Sequence, residues 1–170
     1  MARVYLSLGS NISPTQYICA GLDALADQFG KLTISPVYES VAVGFDGDNF
    51  INLVVGIDTS LSVGDLSARL KAIEDANGRV RSGPKYSGRT LDIDILTYDD
   101  LCGVVDGVTL PRGEVLRNAF VLLPLSEVAP DDKHARTGDT FAALWRDYQR
   151  DQKLWRVDFC WREQQISVAE

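Results

Sequence analysis

The acids of the segment Thr90–Leu96 are the first residues whose type and spacing indicate chemistry. The segment alternates apolar and polar residues, so in a strand Asp92 and Asp94 share one face while Ile93 and its apolar neighbours face the core. Their Cα atoms are then about 6.5 Å apart, and like charges that close on one face of a strand repel each other. A divalent cation removes that repulsion, and Mg²⁺ commonly takes one or two carboxylates together with substrate phosphates and water. The alternative is a solvated strand face with two harmless acids.

The stretch before this strand is rich in cations. Residues 78–89 contain four basic residues, three glycines and no acid, in a chain whose formal net charge is −7. Arginine side chains bind phosphate oxygens in pairs, and a cationic loop next to an acidic strand is what phosphoryl transfer requires. A solvated loop that balances nearby acids is the alternative. Because the loop leads into Asp92 and Asp94, the sequence favours a functional role.

Asn52 is a third candidate because it interrupts the apolar segment Phe50–Val55. A buried amide must find hydrogen-bond partners or cost stability. Its two donors and one acceptor suit the edge of a heterocycle such as a pterin, but they could equally satisfy a neighbouring loop carbonyl. Phe50 and Phe120 could stack on a flat ring, or they could belong to the core.

Composition excludes several classes of function. The length of 170 residues predicts one domain spanning 1–170, and the pI of about 4.7 argues against nucleic-acid binding. No stretch approaches the roughly 20 apolar residues of a membrane span. Three isolated cysteines indicate reduced thiols and a cytoplasmic location. The single histidine, His134, lies in a polar stretch and is predicted at the surface, so histidine-dependent nucleophilic catalysis has little support.

The elements that position these residues follow from the hydrophobic period. Their order through residue 98 predicts an α+β fold with a ferredoxin-like βαββαβ core, a mostly antiparallel sheet flanked by helices. That fold hosts many functions and identifies none. Strands are predicted at 2–9, 32–40, 50–57 and 90–98, and helices at 14–29 and 63–77, the second beginning with a capping box at Ser62. Beyond them, a loop is predicted at 99–114, a short strand at 119–123, a helix at 138–150 and a further strand within 154–161.

Taken together, these segments resemble the 6-hydroxymethyl-7,8-dihydropterin pyrophosphokinase family. The resemblance covers roughly residues 2–130, while a C-terminal extension at about 150–170 has no counterpart that can be placed. The matching stretches are Tyr5–Asn11, Ser35 with Tyr38 and Gly44, Phe50–Asn52, Ile73–Glu74, Gly78–Arg81, Gly88–Leu96, Arg117, Phe120–Leu125 and Glu127–Pro130.

The resemblance implies that ATP and the pterin alcohol give AMP and the pterin diphosphate in folate biosynthesis. It implies ATP as co-substrate, two Mg²⁺ ions held by Asp92 and Asp94, and a loop at 79–89 that closes over both substrates. It also implies residue roles. Those for catalysis are Arg79, Arg89, Asp92 and Asp94; those for the pterin are Gly44, Phe50, Asn52, Tyr86, Asp92 and Phe120; those for ATP are Lys71, Glu74, Arg79, Arg81, Arg89, Arg112 and Arg117.

The chain departs from the family pattern mainly on the ATP side. The family usually has tryptophan at Tyr86 and histidine at Arg112, and a gapless alignment places its phosphate-binding arginine on Asn118, one position after Arg117. Nucleotide affinity is therefore where this chain is expected to differ.

Two other functions remain open at this point. One is a weak or inactive paralogue that binds pterin or nucleotide, and the other is a magnesium-dependent phosphohydrolase. In each case the expected partners are small molecules, without nucleic acid or membrane, and the sequence does not indicate protein partners.

Overall fold

The computed structural model describes residues 1–41, 48–78 and 90–170. No helix within these ranges is long and apolar enough to cross a bilayer. The strands are Ala2–Ser10 (β1), Thr33–Ile34 (β2), Tyr38–Ser40 (β3), Phe50–Thr59 (β4), Asp92–Tyr98 (β5), Gly103–Val105 (β6), Val108–Leu110 (β7), Leu154–Arg156 (β8), Phe159–Trp161 (β9) and Gln164–Ser167 (β10). The helices are Pro14–Phe29 (α1), Val63–Ala76 (α2), Glu114–Arg117 (α3), Ala119–Val128 (α4) and Phe141–Arg146 (α5).

The main sheet has the strand order β5-β1-β4-β3-β8, and β2 also pairs with β4. Its pairings are antiparallel. Through β5 this is the predicted ferredoxin-like βαββαβ arrangement, with β1 and β4 in the centre of the sheet. The predicted N-cap at Ser62 is confirmed, because the Ser62 hydroxyl accepts a hydrogen bond from the backbone N–H of Asp65 at the start of α2.

The sheet separates two apolar cores. Leu6, Leu8 and Leu53 face the helices α1 and α2 and are fully buried, together with alternate residues of β5. Val54 and Leu96 face the opposite side, where they pack with α4 and α5. Since successive side chains of a strand point to opposite faces, both faces of the central strands are covered. The helices leave part of the second face uncovered near the strand ends, and polar residues such as Asp92 and Asp94 are accessible there.

The predicted strand at 32–40 is divided into β2 and β3. Pro36 has no N–H to give to the ladder, so regular pairing stops around it. Ser35 bridges the gap, because its hydroxyl accepts a hydrogen bond from the backbone N–H of Val54 at 2.8 Å. Pairing resumes at Tyr38, opposite Asn52.

The predicted short strand at 119–123 is wrong, because these residues form the start of α4. A short apolar run is compatible with a buried strand or a buried helix, and here the run packs against the second face of the sheet. Pro124 lies inside the helix and does not end it. The predicted loop at 99–114 contains the β6–β7 hairpin, and the predicted helix at 138–150 is shortened to Phe141–Arg146.

His134 is buried, not exposed as predicted. Its Nδ1 accepts hydrogen bonds from the backbone N–H groups of Arg136 and Thr137, and burial lowers its pKa. The prediction failed because the residues around His134 are polar and indicated an exposed loop, whereas the backbone of that loop folds over the imidazole.

The C-terminal residues extend the main sheet. Strand β8 pairs with β3, placing Leu154 opposite Ser40 and Arg156 opposite Tyr38. Arg156 donates a hydrogen bond to Glu127 of α4, which also accepts one from the Tyr38 hydroxyl. The β9–β10 hairpin packs on α1 through Trp161, whose indole N–H donates to Asp23.

Candidate active site

Asp92 and Asp94 lie on β5 with their side chains toward the second face of the sheet, while Leu91, Ile93 and Ile95 are buried in the first core. The predicted division of faces is therefore confirmed. Both acids line a cavity of about 580 Å³, here called the acid-pair cavity. Its other lining residues include Ser67, Lys71, Glu74, Thr109, Arg112, Glu114 and Arg117.

Helix α2 supplies one wall of the acid-pair cavity. Glu74 is buried, and its Oε2 accepts a hydrogen bond from the backbone N–H of Ile93 at 2.8 Å, which ties α2 to β5 between the two acids. Lys71 is one helical turn earlier, is exposed and lines the same cavity. The two residues expected to border the nucleotide therefore lie beside Asp92 and Asp94.

Arg112 forms the opposite wall. Its Nη2 lies 3.7 Å from Asp94 Oδ1, and its Nε lies 2.6 Å from Glu114 Oε2. The backbone N–H of Arg112 donates to the carbonyl of Leu96, which anchors this segment to β5. Arg117 also lines the cavity and lies 3.4 Å from Glu114. The segment that departs from the family pattern thus places Arg112 beside Asp94 and puts both arginines in the lining of the acid-pair cavity.

Burial and the neighbouring charges raise the pKa of Asp94. Burial raises the pKa of Asp94 to about 6; Arg112 lowers it, whereas the charges of Asp92, Glu74 and Glu114 raise it further. A cation between these carboxylates would relieve that repulsion. Within the described ranges, no group of three or more His, Cys, Asp or Glu side chains could hold a metal ion. Two carboxylates completed by substrate phosphates and water match the preference of Mg²⁺.

A row across three strands links Asn52 to the acid pair. Asn52 on β4 is paired with Gly9 on β1, and Gly9 is paired with Asp92 on β5. Paired residues point to the same face, so Asn52 and Asp92 flank the position of the missing Gly9 side chain, with Cα atoms about 10 Å apart. Asn52 is buried, and its Nδ2 donates to the Ser40 hydroxyl at 3.0 Å.

Comparison with known proteins assigns the chain to a family. The model of the family described as 7,8-dihydro-6-hydroxymethylpterin-pyrophosphokinase (HPPK) matches residues 5–130. The chain belongs to the HPPK family. Among curated proteins, it is 39% identical over 133 residues to the 2-amino-4-hydroxy-6-hydroxymethyldihydropteridine pyrophosphokinase of Pseudomonas aeruginosa, covering 76% of this chain and 82% of that protein. The protein of the same name from Aquifex aeolicus is 36% identical over 136 residues, covering 79% and 84%.

Solved structures give the same fold. The wild-type HPPK-DHPS of Plasmodium falciparum, solved with pterin and p-hydroxybenzoate, superposes with a TM-score of 0.71 over 92% of this chain at 16% identity. Another HPPK-DHPS structure, solved in complex with substrates, gives a TM-score of 0.70 over 87% of this chain at 14% identity. The chain spans 46% and 45% of those two longer chains. The predicted family, the α+β fold and the class of ATP-dependent diphosphotransferase are confirmed.

The HPPK chain has a second, smaller cavity near Asn52. It has a volume of about 260 Å³ and is here called the Phe120 cavity. Its lining residues are Ser40, Val41, Ala119, Phe120, Asp151, Gln152, Lys153 and Leu154. Phe50 is paired with Ser40 but is not part of that lining. Phe120 also packs partly against the second core, so one ring contributes to both the core and the cavity.

Five of the predicted site residues lie outside the described part of the HPPK chain. They are Gly44, Arg79, Arg81, Tyr86 and Arg89. The cationic loop is therefore named here by its sequence alone, and its roles stay predictions.

Sequence reasoning missed four residues that shape the HPPK site. Gly9 was placed at the end of the predicted strand at 2–9 and given no functional role, although β1 continues through it to Ser10. Glu114, two positions after Arg112, could have been recognised as its partner. Ser40 and Gln152 carried no signal, because their contacts depend on strand pairing and on a segment far along the chain.

Proposed function

We propose that this chain transfers the pyrophosphoryl group of ATP to 6-hydroxymethyl-7,8-dihydropterin, with the acid-pair cavity as the reaction site. The observation that carries the proposal is the placement of Asp92 and Asp94 in one cavity with Lys71, Arg112 and Arg117, in a chain of the HPPK family. Carboxylates that hold a cation and basic groups that contact phosphate are the parts that phosphoryl transfer needs.

The products define the bonds that change. AMP keeps the α-phosphate, so the bond between the β-phosphorus and the oxygen shared with the α-phosphate breaks. A new bond forms between the pterin hydroxymethyl oxygen and the β-phosphorus. AMP leaves with the bridging oxygen and its electron pair, and the hydroxyl proton is released. Positioning and electrostatic stabilisation supply most of the catalysis in such transfers.

The row Asn52–Gly9–Asp92 divides the site into a pterin side and a phosphate side. Asn52 offers its amide to the polar edge of the ring, and the space above Gly9 admits the flat heterocycle. Asp92 is the acid nearer Asn52, so it faces the hydroxymethyl group. Asp94 lies one pleat further along β5, beside Arg112, and therefore faces the phosphates.

Arg112 is a phosphate ligand in this proposal. Its guanidinium already lies between Asp94 and Glu114, so it needs to shift only within the cavity to reach a phosphate oxygen. An arginine keeps its positive charge at any working pH and can donate two parallel hydrogen bonds to phosphate. Lys71 and Arg117 line the same cavity and would add charge around the triphosphate.

The acids fit Mg²⁺, and we include two ions in the proposal. Asp92 and Asp94 would hold them, because two hard carboxylates with a mutual repulsion lie in a cavity open to substrate oxygens. When bound, magnesium neutralises phosphate charge and makes the β-phosphorus more electrophilic. From the cationic loop, Arg79 and Arg89 would steer the transferred group, and Arg81 would contribute to ATP binding. Gly44 and Tyr86 would border the pterin. Residues 1–170 would form one functional domain in the cytoplasm.

The proposal is tested by measuring AMP release with Mg²⁺, with and without 6-hydroxymethyl-7,8-dihydropterin. We expect AMP to appear only when the pterin is present, in equal amount to the pterin diphosphate. ATP or phosphoester cleavage without pterin would instead identify a phosphohydrolase. Binding of pterin or nucleotide without turnover would identify an inactive paralogue.

A further inference from the structure

The residue that holds the start of helix α4 comes from outside the segment that matches the family model. That match ends at residue 130, and Gln152 lies 22 positions beyond it. The Gln152 Oε1 accepts a hydrogen bond at 2.8 Å from the backbone N–H of Ala119, the first residue of α4. Its Nε2 lies 3.3 Å from the carbonyl of Arg117 and 3.4 Å from Asn118 Oδ1. One amide thus contacts three consecutive positions.

These contacts replace a cap that α4 lacks. Asn118 is the N-cap residue of the helix, but its side chain makes no capping hydrogen bond. The first N–H groups of a helix need acceptors from outside the helix, and Gln152 supplies one from a distant segment. Tyr148 supports the same corner, since its hydroxyl donates to the carbonyl of Arg117 at 2.6 Å.

Residues 117–119, which Gln152 contacts at the start of α4, lie between the two cavities. Arg117 lines the acid-pair cavity, and three residues later Phe120 lines the smaller one. The Arg117 side chain is long and 56% exposed, so it can still reach the acid-pair cavity after small shifts of the backbone. Phe120 lies in the first turn of α4 and is partly buried. Its ring has less reach than an arginine side chain, so the position of the ring follows the position of that turn.

The C-terminal segment also forms a wall of the Phe120 cavity. Gln152, Lys153 and Leu154 line it opposite Phe120. Leu154 is paired with Ser40, so this wall is attached to strand β3. The Ser40 hydroxyl in turn accepts a hydrogen bond from the Asn52 amide. The segment is therefore connected to Asn52, which meets the pterin in the proposed function, and to Phe120, to which the family resemblance gives a pterin role.

We propose that Gln152 is a positioning residue for the pterin side of the site: by capping α4 it sets the position of Phe120, and with Leu154 it closes the Phe120 cavity around the pterin. This inference rests on the proposed function for the identity of the ligand. It assigns to the C-terminal segment a role in substrate affinity that is absent from the family-matched residues 5–130.

The test compares Gln152→Met with Gln152→Glu. Methionine keeps the length of the side chain but removes the hydrogen bonds, so we expect the KM for the pterin to rise about fivefold or more. We expect the KM for ATP to change less than twofold and kcat to change little. Glutamate keeps the acceptor for the Ala119 N–H, and its charge suits a helix N-terminus, but it loses the Nε2 contacts with Arg117 and Asn118, so its pterin KM should lie between those of the parent and Gln152→Met. Gln165→Ala, on the exposed β10 strand, is the control.

Three results would overturn the proposal. They are an unchanged pterin KM in Gln152→Met, an equal rise of both KM values, and a Gln152→Glu variant as impaired as Gln152→Met. Calorimetric titration with oxidised 6-hydroxymethylpterin and a non-hydrolysable ATP analogue separates this test from that of the function, because binding needs no turnover. If the parent binds pterin without releasing AMP, the proposed function fails while the affinities still test Gln152. If the parent binds no pterin, both fail.

Discussion

Asn52 and Asp92 lie on opposite sides of Gly9, each paired with it across a neighbouring strand. A Cβ atom at position 9 would lie 2.8 Å from Asn52 Oδ1. Glycine is therefore required there by close approach, since real Cβ atoms do not tolerate such a contact and the Asn52 amide would have to move. Because Gly9 has no side chain, there is open space between Asn52, which is proposed to bind the pterin, and Asp92 of the acid pair.

Gly9→Ala should weaken pterin binding about tenfold or more, because a displaced amide no longer meets the ring edge. Titration of pterin and of an ATP analogue measures this separately for each ligand. Gly56→Ala is the matched control: its Cβ would meet the side chains of Arg3 and Tyr5 at 2.8 and 2.9 Å, at the far end of the same strand pair. Equal loss in both variants would mean that the effect is general destabilisation.

Asp92→Asn and Asp94→Asn should each lower pterin-dependent AMP release at least about a hundredfold at saturating Mg²⁺, while the fold survives. Each change removes one of the two negative charges proposed to hold the metal. Circular dichroism checks the fold, and Asp100→Asn in the exposed turn after β5 controls for the change of charge. Normal activity in either active-site variant would end the metal assignment.

Asp94→Asn should also stabilise the metal-free protein at neutral pH. The pKa of Asp94 is raised to about 6 in the folded state from an ordinary value of 3.8, so ionisation of this acid destabilises the fold. The penalty is complete above about pH 6 and disappears as the pH falls toward 4. Because the side chain is 38% exposed, water screens part of it, and we expect a gain of at most about 1 kcal/mol, or about 2–4 °C in Tm.

The measurement compares the Tm of the parent and of Asp94→Asn at pH 7.5 and pH 4.5 without Mg²⁺. The advantage of the variant should be present at pH 7.5 and shrink at pH 4.5. A constant difference at both pH values would show that loss of the Arg112 contact, and not titration of Asp94, determines the change.

Asn52→Ala should weaken pterin binding far more than ATP binding. The lost hydrogen bonds leave polar groups of the ring unpaired, at a cost of about 1–3 kcal/mol, or roughly 5- to 150-fold in Kd. Asn49→Ala removes an exposed asparagine that contacts Glu39 and is the control. If Asn52→Ala weakened both ligands equally, its hydrogen bond to Ser40 would be its main role, and the amide would be structural.

Arg112→Ala should raise the Kd of a non-hydrolysable ATP analogue several-fold and leave pterin affinity nearly unchanged. Its removal deletes one proposed phosphate contact, so the dependence of ATP affinity on salt should also become shallower. Arg146→Ala removes an arginine that is 75% exposed and lies on α5, outside the acid-pair cavity, and serves as the control. A variant with the affinity and salt dependence of the parent would show that Arg112 makes no phosphate contact.

Features that depend on neighbours along the chain could be predicted from residue patterns alone. The two-residue period of β5 was sufficient to assign Asp92 and Asp94 to the face opposite Ile93. The Ser62 cap and the apolar period of α2 were sufficient to place Glu74 and Lys71 on the helix that borders them. The order of elements then predicted the fold, because few topologies satisfy βαββαβ.

Features that depend on partners far along the chain could not be predicted from such patterns. Residues 119–123 form a helix because the second face of the sheet, built from segments far from them along the chain, supplies their packing surface, which a local pattern does not contain. The position of Gly9 between Asn52 and Asp92 is a matter of strand register. Gln152 caps a helix that begins 33 residues earlier, and such a contact exists only once the chain has folded to bring both segments together.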